Sequence, residues 1–218
     1  MLAANPTDTS SFFKLAQLYG LQEHRLFHAK LYSGATFFLA GPTVGAPMAA
    51  LTLEKLIALG ARKVVVYGWC GSLHASLQPG ALFSPTGVGM CEEGTSAHYP
   101  LNDPYYDEEW HSLLVRVLTN AGHQVSQGLI WTTDALYRET RQKVVQYSAR
   151  GILAVDMEYT ALRTVAAYRR ISLAAVMKVS DALFLENWVP RFQLKRFQAD
   201  SRRQLGQLCV FLQEGELA

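Results

Sequence analysis

The sequence predicts an α/β fold, a three-layer α/β/α sandwich built around a mixed central sheet. Short apolar runs rich in β-branched residues alternate along the chain with amphipathic helical stretches, which is typical of this fold class. Half of the 218 residues are hydrophobic and 17% are charged, so the chain can bury a large core. Because no repeat, low-complexity tract or linker interrupts the pattern, residues 1–218 are predicted to form one domain.

Six apolar runs predict the strands of this sheet. The clearest is residues 63–67, KVVVY, which are apolar almost throughout, as expected for a central strand that is covered on both faces. This run leads into residues 68–71, GWCG, which the two bracketing glycines predict to be a turn. The other predicted strands are residues 35–40, 81–88, 128–133, 152–156 and 173–179.

Four amphipathic stretches predict the helices between these strands. Residues 47–59 place apolar side chains on one face and end at Gly60, a residue that commonly stops helices. Residues 108–121 present Trp110 and Leu114 on a common face in the same way. The remaining helices are residues 158–168 and 191–213. The basic residues of the last helix are predicted to form a solvated face rather than a site for polyanions.

Charge and composition exclude several classes of function. The net charge is +2 and the isoelectric point about 8.4, so neither nucleic acid nor a membrane is an expected partner. Three cysteines without CxxC spacing indicate neither a disulfide scaffold nor a metal framework. The N-terminus lacks the pattern of a signal peptide, and no apolar run approaches the roughly 20 residues of a membrane span. A cytoplasmic location is therefore expected.

Four segments directly follow predicted strands and are the expected place of a ligand site. They are residues 41–47, 68–71, 157–158 and 180–181. In α/β sheets, ligands bind at the carboxyl ends of the strands, where the connecting loops meet. These loops are therefore predicted to converge on one pocket.

The same segments carry a resemblance to a known family. Six motifs are similar, in order, to those of the nucleoside phosphorylase family, which includes purine nucleoside and uridine phosphorylases and related nucleosidases. The motifs are GAP at 45–47, VVVYGWCGSL at 64–73, EEGTSAHY at 92–99, WTTDALY at 131–137, VDME at 155–158 and VSD at 179–181. The resemblance spans about two thirds of the chain and implies a nucleoside phosphorylase-like fold.

The resemblance also implies roles at the scissile bond. Asp181 would protonate or hydrogen-bond the departing purine, with burial against Phe184 keeping its carboxyl protonated. Glu158 would accept hydrogen bonds from the 2′- and 3′-hydroxyls of ribose, and Met157 would pack against the sugar. The residues alone leave other roles open: Asp181 as a helix cap, Glu158 as a glutamate at a helix N-terminus, and Met157 as a core residue. Asp156 is predicted to face away from the ligand, because it alternates with Met157 along the strand.

Three residues are implied at the base. Tyr137 would stack on the base or contact its edge, Val44 would add apolar contact, and Ser180 would lie beside Asp181. Tyr137 has the alternative of plain core packing, which is common for a loop tyrosine. Weaker candidates for the pocket are His98, Tyr99 and Arg138.

The phosphate site of the phosphorolytic family members is altered in this sequence. Those members use an early glycine–aspartate loop followed by an arginine, whereas this chain has PTDTSS at residues 6–11 and Arg25 as its one early arginine. They also place an arginine before the Gly-x-x-Gly turn and a serine or threonine inside it, where this chain has Val66 and Trp69. The remaining candidates for a phosphate or water site are Gly68, Trp69, Thr95 and Ser96.

The resemblance implies phosphorolysis of a nucleoside to free base and ribose 1-phosphate, with phosphate as co-substrate and with no cofactor or metal. A nucleosidase that uses water, and a nucleoside-binding protein without turnover, are the alternatives that the altered phosphate site leaves open. A purine is favoured over uracil because residues 138–140 lack the glutamine–arginine pair that reads uracil in uridine phosphorylases. The resemblance further implies a homodimer or homohexamer.

Overall fold

The computed structural model describes residues 1–100 and 105–214, which form an α/β structure with a mixed sheet. Its strands are β1 (Leu2–Ala3), β2 (Gln22–Arg25), β3 (Lys30–Ser33), β4 (Phe38–Gly41), β5 (Lys63–Ser72), β6 (Leu82–Pro85), β7 (Met90–Glu92), β8 (Val125–Thr133), β9 (Ile152–Asp156), β10 (Ser172–Ala182) and β11 (Val189–Pro190). Its helices are α1 (Pro6–Thr9), α2 (Phe12–Tyr19), α3 (Ala46–Ala58), α4 (Glu108–Asn120), α5 (Arg141–Ser148), α6 (Tyr159–Arg169) and α7 (Lys195–Glu214). The predicted α/β fold around a mixed sheet is confirmed.

The sheet is organised around β5, which pairs with three other strands. It runs parallel to β1 and β10 and antiparallel to β9. The strand order is β11-β10-β6-β8-β9-β5-β1-β4-β3-β2, and the additional pairing of β10 with β5 closes five of these strands into a ring. The carboxyl ends of β5 and β10 therefore lie side by side.

Helices cover both faces of the sheet because side chains alternate along each strand. Val64 and Val66 of β5 belong to a core that also contains residues of α3 and α6. Val65 and Tyr67 point the other way, into a core shared with α2, α4 and α7. The two cores lie on opposite faces of the sheet, so that the sheet and the helices on either side of it form the three predicted layers. No helix within the described residues combines the length and the apolar character needed to cross a membrane.

The basic residues near the C-terminus are exposed, as the sequence predicted. Arg203 and Arg196 of α7 lie 2.5 and 3.9 Å from the carboxylate of Asp200. Exposed ion pairs of this kind contribute at most about 1 kcal/mol to stability. The opposite face of α7 is buried against the sheet through Leu205 and Leu208.

The turn predicted at residues 68–71 is not present. β5 continues to Ser72, and its last residues pair with β10, with Gly71 opposite Asp181 and Ser72 opposite Ala182. The two glycines suggested a turn, but pairing with a long neighbouring strand determines the backbone here. Trp69 is consequently a strand residue, and its side chain is fixed by the pleat of the sheet.

Gly41 is the position where a side chain would be least tolerated. It ends β4 with φ 147°, and an added Cβ would lie 2.4 Å from the carbonyl oxygen of Ala3. We expect Gly41→Ala to lower the free energy of unfolding by roughly 3 kcal/mol or more, since backbone strain and overpacking add. Gly122→Ala is the matched control, because Gly122 has φ 85° and open space around the position of a Cβ. Its expected cost is about 1–2 kcal/mol. Urea denaturation measures both variants, and an equal loss of unfolding free energy in the two would contradict this prediction.

Candidate active site

A cavity of about 820 Å³ opens at the carboxyl ends of β5, β9 and β10. Residues from all four predicted loop segments line it, together with Tyr137 from the turn after β8. The predicted residues that the structure brings together here are Val44, Trp69, Met157, Glu158, Ser180 and Asp181. Their proximity is established, and their individual roles stay predictions.

Asp156 fixes the geometry of the cavity wall around Glu158. Its Oδ1 accepts a hydrogen bond from the Thr132 hydroxyl at 2.5 Å, and its Oδ2 accepts from the backbone N–H groups of Glu158 at 3.1 Å and Tyr159 at 2.7 Å. These bonds satisfy free N–H groups where α6 begins. Burial raises the pKa of Asp156 to about 6, although these hydrogen bonds lower it. The prediction that Asp156 faces away from the cavity is corrected, because the residue lines it and holds Glu158.

Glu158 joins two loops across the cavity. It is 8% exposed, and its Oε1 accepts the backbone N–H of Gly45 at 2.6 Å, where α3 begins. Burial and the charge of Asp156 raise its pKa to about 8. Half-buried Met157 lies beside it on the cavity wall. The backbone N–H groups of Gly45 and Met157 lower the pKa of Glu158 and so partly offset the effects of burial and of the Asp156 charge.

Asp181 lies on β10, at the point where the register against β5 shifts. Its Oδ1 is 2.6 Å from the hydroxyl of Ser180, and its Oδ2 accepts the indole N–H of Trp188 at 2.7 Å. The Ser180 hydroxyl also lies 3.1 Å from the carbonyl oxygen of Cys70. Since these residues are part of a strand, the alternative that Asp181 caps a helix is wrong. Trp188 is 60% exposed and covers the carboxyl from the loop that follows β10.

The floor of the cavity is aromatic where the resemblance places phosphate. The Trp69 ring stacks on Phe192 with centroids 6.1 Å apart and meets Phe197 edge-on at 5.1 Å. Behind it lies buried Asp8, whose Oδ1 accepts the hydroxyl of Ser201 at 2.7 Å. Burial raises the pKa of Asp8 to about 6, while Ser201 and Trp69 lower it. The floor thus presents an indole to the cavity rather than a guanidinium, with the Asp8 carboxyl buried behind it.

Three charged residues that the sequence did not single out also line the cavity, namely Glu139, Arg141 and the exposed Glu186. Glu139 is half-buried, and burial together with the charges of Asp181 and Asp156 raises its pKa to about 8. Arg141 is the one cationic side chain among the described residues of the lining, and its Nη1 donates to the carbonyl oxygen of Phe184 at 2.6 Å. The signal available in the sequence was that Glu139 and Arg141 lie within four residues of Tyr137, shortly after the end of β8.

The structure does not bring every predicted residue to the cavity. Thr95 and Ser96 form a 3₁₀ turn elsewhere, in which the backbone N–H of Ser96 donates to Glu93 at 3.0 Å and its hydroxyl bonds the same carboxylate. Gly68 is buried within β5 and does not line the cavity. None of these three candidates for the phosphate or water site lines the cavity. The weaker candidates His98, Tyr99 and Arg138 also lie outside the lining.

Val44 and Tyr137 stand at the mouth of the cavity. Val44 is 49% exposed and Tyr137 is 97% exposed, so neither is a core residue. Plain core packing, the alternative considered for Tyr137, is therefore wrong. Contact of both side chains with a base stays a prediction.

Comparison with known proteins agrees with the fold. A sequence profile described as the phosphorylase superfamily matches residues 7–209. The chain is similar to a guanosine phosphorylase from Halorubrum lacusprofundi, with 27% identity over 170 residues that cover 76% of this chain and 69% of the relative. The chain spans about two thirds of the length of the curated relatives it matches.

Two solved structures share the fold at low sequence identity. One is a 5′-methylthioadenosine/S-adenosyl homocysteine nucleosidase from Campylobacter jejuni, with a TM-score of 0.80, 17% identity and coverage of 98% of this chain and 97% of the other. The other is a purine nucleoside phosphorylase from Toxoplasma gondii, with a TM-score of 0.79, 16% identity and coverage of 97% and 88%.

The raised pKa of Glu158 predicts that the stability of the protein depends on pH. Because the folded-state pKa of about 8 lies above the ordinary 4.5, the protein loses stability as pH rises between these values. Glu158→Gln removes this titration and keeps an acceptor for Gly45. We expect its free energy of unfolding to exceed that of the wild type by roughly 1 kcal/mol or more at pH about 8, and by less at pH about 5. Unfolding free energies from urea denaturation that change with pH in the same way in the wild type and in Glu158→Gln would contradict this prediction. Glu109→Gln, which changes an exposed carboxylate, is the control.

Proposed function

The chain belongs to the phosphorylase superfamily, and we propose that it cleaves the N-glycosidic bond of a purine nucleoside with water as the acceptor. The observation that carries the choice of acceptor is the floor of the cavity, where the Trp69 indole packs against Phe192 and Phe197. The purine is proposed because the curated relative from Halorubrum is named a guanosine phosphorylase.

Cleavage of this bond needs groups that stabilise two charges as they develop in the transition state. The departing base becomes negative and the sugar becomes positive in the transition state, so a proton donor at the base and a polar clamp on the ribose favour the reaction. We assign the donor to Asp181 and the clamp to Glu158, with Met157 against the sugar. The purine would take the place of the Trp188 indole at the Asp181 carboxyl. Both oxygens of Asp181 have partners in the resting protein, which orients the carboxyl before the substrate arrives.

The charges of the cavity argue against an anionic acceptor. Phosphate binding depends on cations and N–H donors. Arg141 is the one cation among the described residues of the lining, and its Nη1 already donates to carbonyl oxygens of the loop after β10. Burial is the first cause that raises the pKa values of three cavity carboxyls, those of Glu139, Asp156 and Glu158. The cavity therefore disfavours negative charge. A water molecule is neutral, so its binding adds no negative charge to the cavity.

Phosphorolysis is the second candidate function. It is the reaction that the sequence resemblance implies, and the name of the Halorubrum relative favours it. The two reactions differ in their sugar product, which is free ribose for hydrolysis and ribose 1-phosphate for phosphorolysis.

The acceptor is tested by product analysis with and without phosphate. We expect a panel of purine nucleosides to release free base at the same rate in phosphate-free buffer and in buffer with millimolar phosphate. The sugar product should be free ribose in both. Base release that requires phosphate and yields ribose 1-phosphate would establish the second candidate instead. Binding without release of base would indicate a nucleoside-binding protein without turnover.

The role of Asp181 is tested by Asp181→Asn, which keeps the size of the side chain and removes its proton. We expect kcat to fall by about 10²–10⁴-fold, the range for loss of a general acid, with a much smaller change in KM. Wild-type turnover in this variant would exclude the assignment. Glu109→Gln, on the exposed face of α4, controls for an unspecific effect of losing a carboxylate.

A further inference from the structure

A second cavity, of about 850 Å³, lies at the end of α3 that is remote from the candidate active site. Lys55 and Leu59 at the end of α3 line it, whereas Gly45, before the first turn, binds Glu158 in the candidate active site. The 13 residues of α3 span about 20 Å, and the two cavities share no described lining residue. The second cavity is therefore separate from the first, and its volume is in the range of small-molecule pockets.

The inner wall of the second cavity is apolar. Leu31 of β3 and Leu56 of α3 are buried and belong to the same hydrophobic core. Half-buried Phe38, at the start of β4, packs against this core beside them. The wall thus offers apolar side chains from both the sheet and α3, one of them aromatic, which suits the flat ring of a ligand.

The charged residues of this lining are all basic. Arg25 at the end of β2, Lys55 on α3 and Arg62 before β5 are exposed to solvent, and we call these three residues the rim cations. No aspartate or glutamate is among the described residues of the lining. Lys63 is a fourth basic residue, but its Nζ lies 5.3 Å from the centre of the Trp110 ring, which belongs to the core on the other face of the sheet. The rim cations thus converge on the cavity from three separate parts of the chain.

The acidic residues close to the rim cations in the sequence are paired elsewhere, Glu23 with Lys30 at 2.9 Å and Glu54 with Arg169 at 2.9 Å. Hydrogen bonding to Lys30 is the main cause that lowers the pKa of Glu23, and the charge of Arg25 is a lesser one. The rim cations form no ion pair within residues 1–100 and 105–214. Since like charges that converge without counter-charges raise the local potential, this rim attracts anions.

Arg62 is the rim cation that the backbone holds in place. Its Nη1 donates to the carbonyl oxygens of Ile57 at 3.2 Å and Ala61 at 2.9 Å. A guanidinium has five N–H donors in one plane, so donors remain for a ligand after these two bonds. Because the guanidinium is already oriented, it loses little conformational freedom when an anion binds.

We propose that the second cavity binds a nucleoside 5′-monophosphate, with the phosphate among the rim cations and the base against the apolar wall. A phosphate monoester carries a charge of about −1.5 to −2 at pH 7, so several cations are needed to balance it. Guanidinium groups bind phosphate oxygens through paired N–H donors, and an ammonium adds a point charge. The base supplies the flat ring for Leu31, Phe38 and Leu56. This inference is independent of the proposed function, because no residue of the candidate active site takes part.

The test measures binding of guanosine 5′-monophosphate by isothermal titration calorimetry. Titrations use Asp181→Asn protein with excess guanosine, so that the nucleotide stays intact and the candidate active site is occupied. We expect guanosine 5′-monophosphate to bind more tightly than ribose 5-phosphate and inorganic phosphate, which lack the base. Arg25→Gln and Lys55→Gln, introduced together, should weaken it about 10- to 100-fold, the effect of losing charge-assisted hydrogen bonds. Arg62 is left unchanged because it also binds the end of α3.

The matched control removes two exposed cations that line neither cavity, by Lys14→Gln and Arg116→Gln together. It changes the net charge by the same amount, and we expect it to bind guanosine 5′-monophosphate as the parent protein does. Added salt should weaken binding in the parent and in the control more than in the Arg25→Gln, Lys55→Gln protein, because screening acts on charges that the latter lacks. Thermal unfolding of each variant confirms that the protein measured is folded.

Three outcomes would overturn the inference. They are an unchanged affinity for guanosine 5′-monophosphate in the Arg25→Gln, Lys55→Gln protein, an equal loss in the control, and inorganic phosphate that binds as tightly as the nucleotide. Nucleotide binding that depends on Arg25 and Lys55 would support it even if the protein cleaves no nucleoside. Failure of the proposed function and failure of this inference are therefore distinguishable.

Discussion

The candidate site depends on one buried carboxyl, that of Asp156. It connects the Thr132 hydroxyl on β8 to the first backbone N–H groups of α6, and in doing so it determines where Glu158 lies. Glu158 in turn binds the N–H of Gly45 at the start of α3. A single chain of hydrogen bonds therefore positions two helices and two loops around the cavity. Since buried polar groups are costly unless paired, each of these bonds also requires the others to form.

The fold was predictable because its strongest signals are local. The β-branched run in residues 63–67 identified the central strand, and amphipathic stretches identified α3, α4, α6 and α7. What the sequence did not reveal are features made by pairing between distant segments. β2 has the sequence QEHR, which is polar and exposed, and it is a strand because β3 pairs with it. β5 and β10 extend past their apolar runs for the same reason.

The site was predictable in outline but not in orientation. Placing ligands at the carboxyl ends of strands correctly brought Val44, Trp69, Glu158 and Asp181 together. Simple alternation failed for Asp156, because the chain changes from strand to helix there and the carboxyl turns to the new N-terminus. Thr95 and Ser96 were misplaced for another reason. A hydroxyl suited to phosphate is equally suited to a neighbouring carboxylate, and in this chain the Ser96 hydroxyl binds Glu93. The sequence alone does not decide between two such partners.

The Trp69 indole has a consequence for the direction of metabolism. A phosphorylase conserves the energy of the glycosidic bond in ribose 1-phosphate, so its reaction runs readily either way and can build nucleosides from bases. An enzyme whose cavity floor is an indole, and which passes the sugar to water, loses that reversibility. The ribose it releases is no longer activated, and the equilibrium lies far towards free base. On the proposed function, one aromatic side chain in a strand converts an exchange reaction into a committed step of degradation.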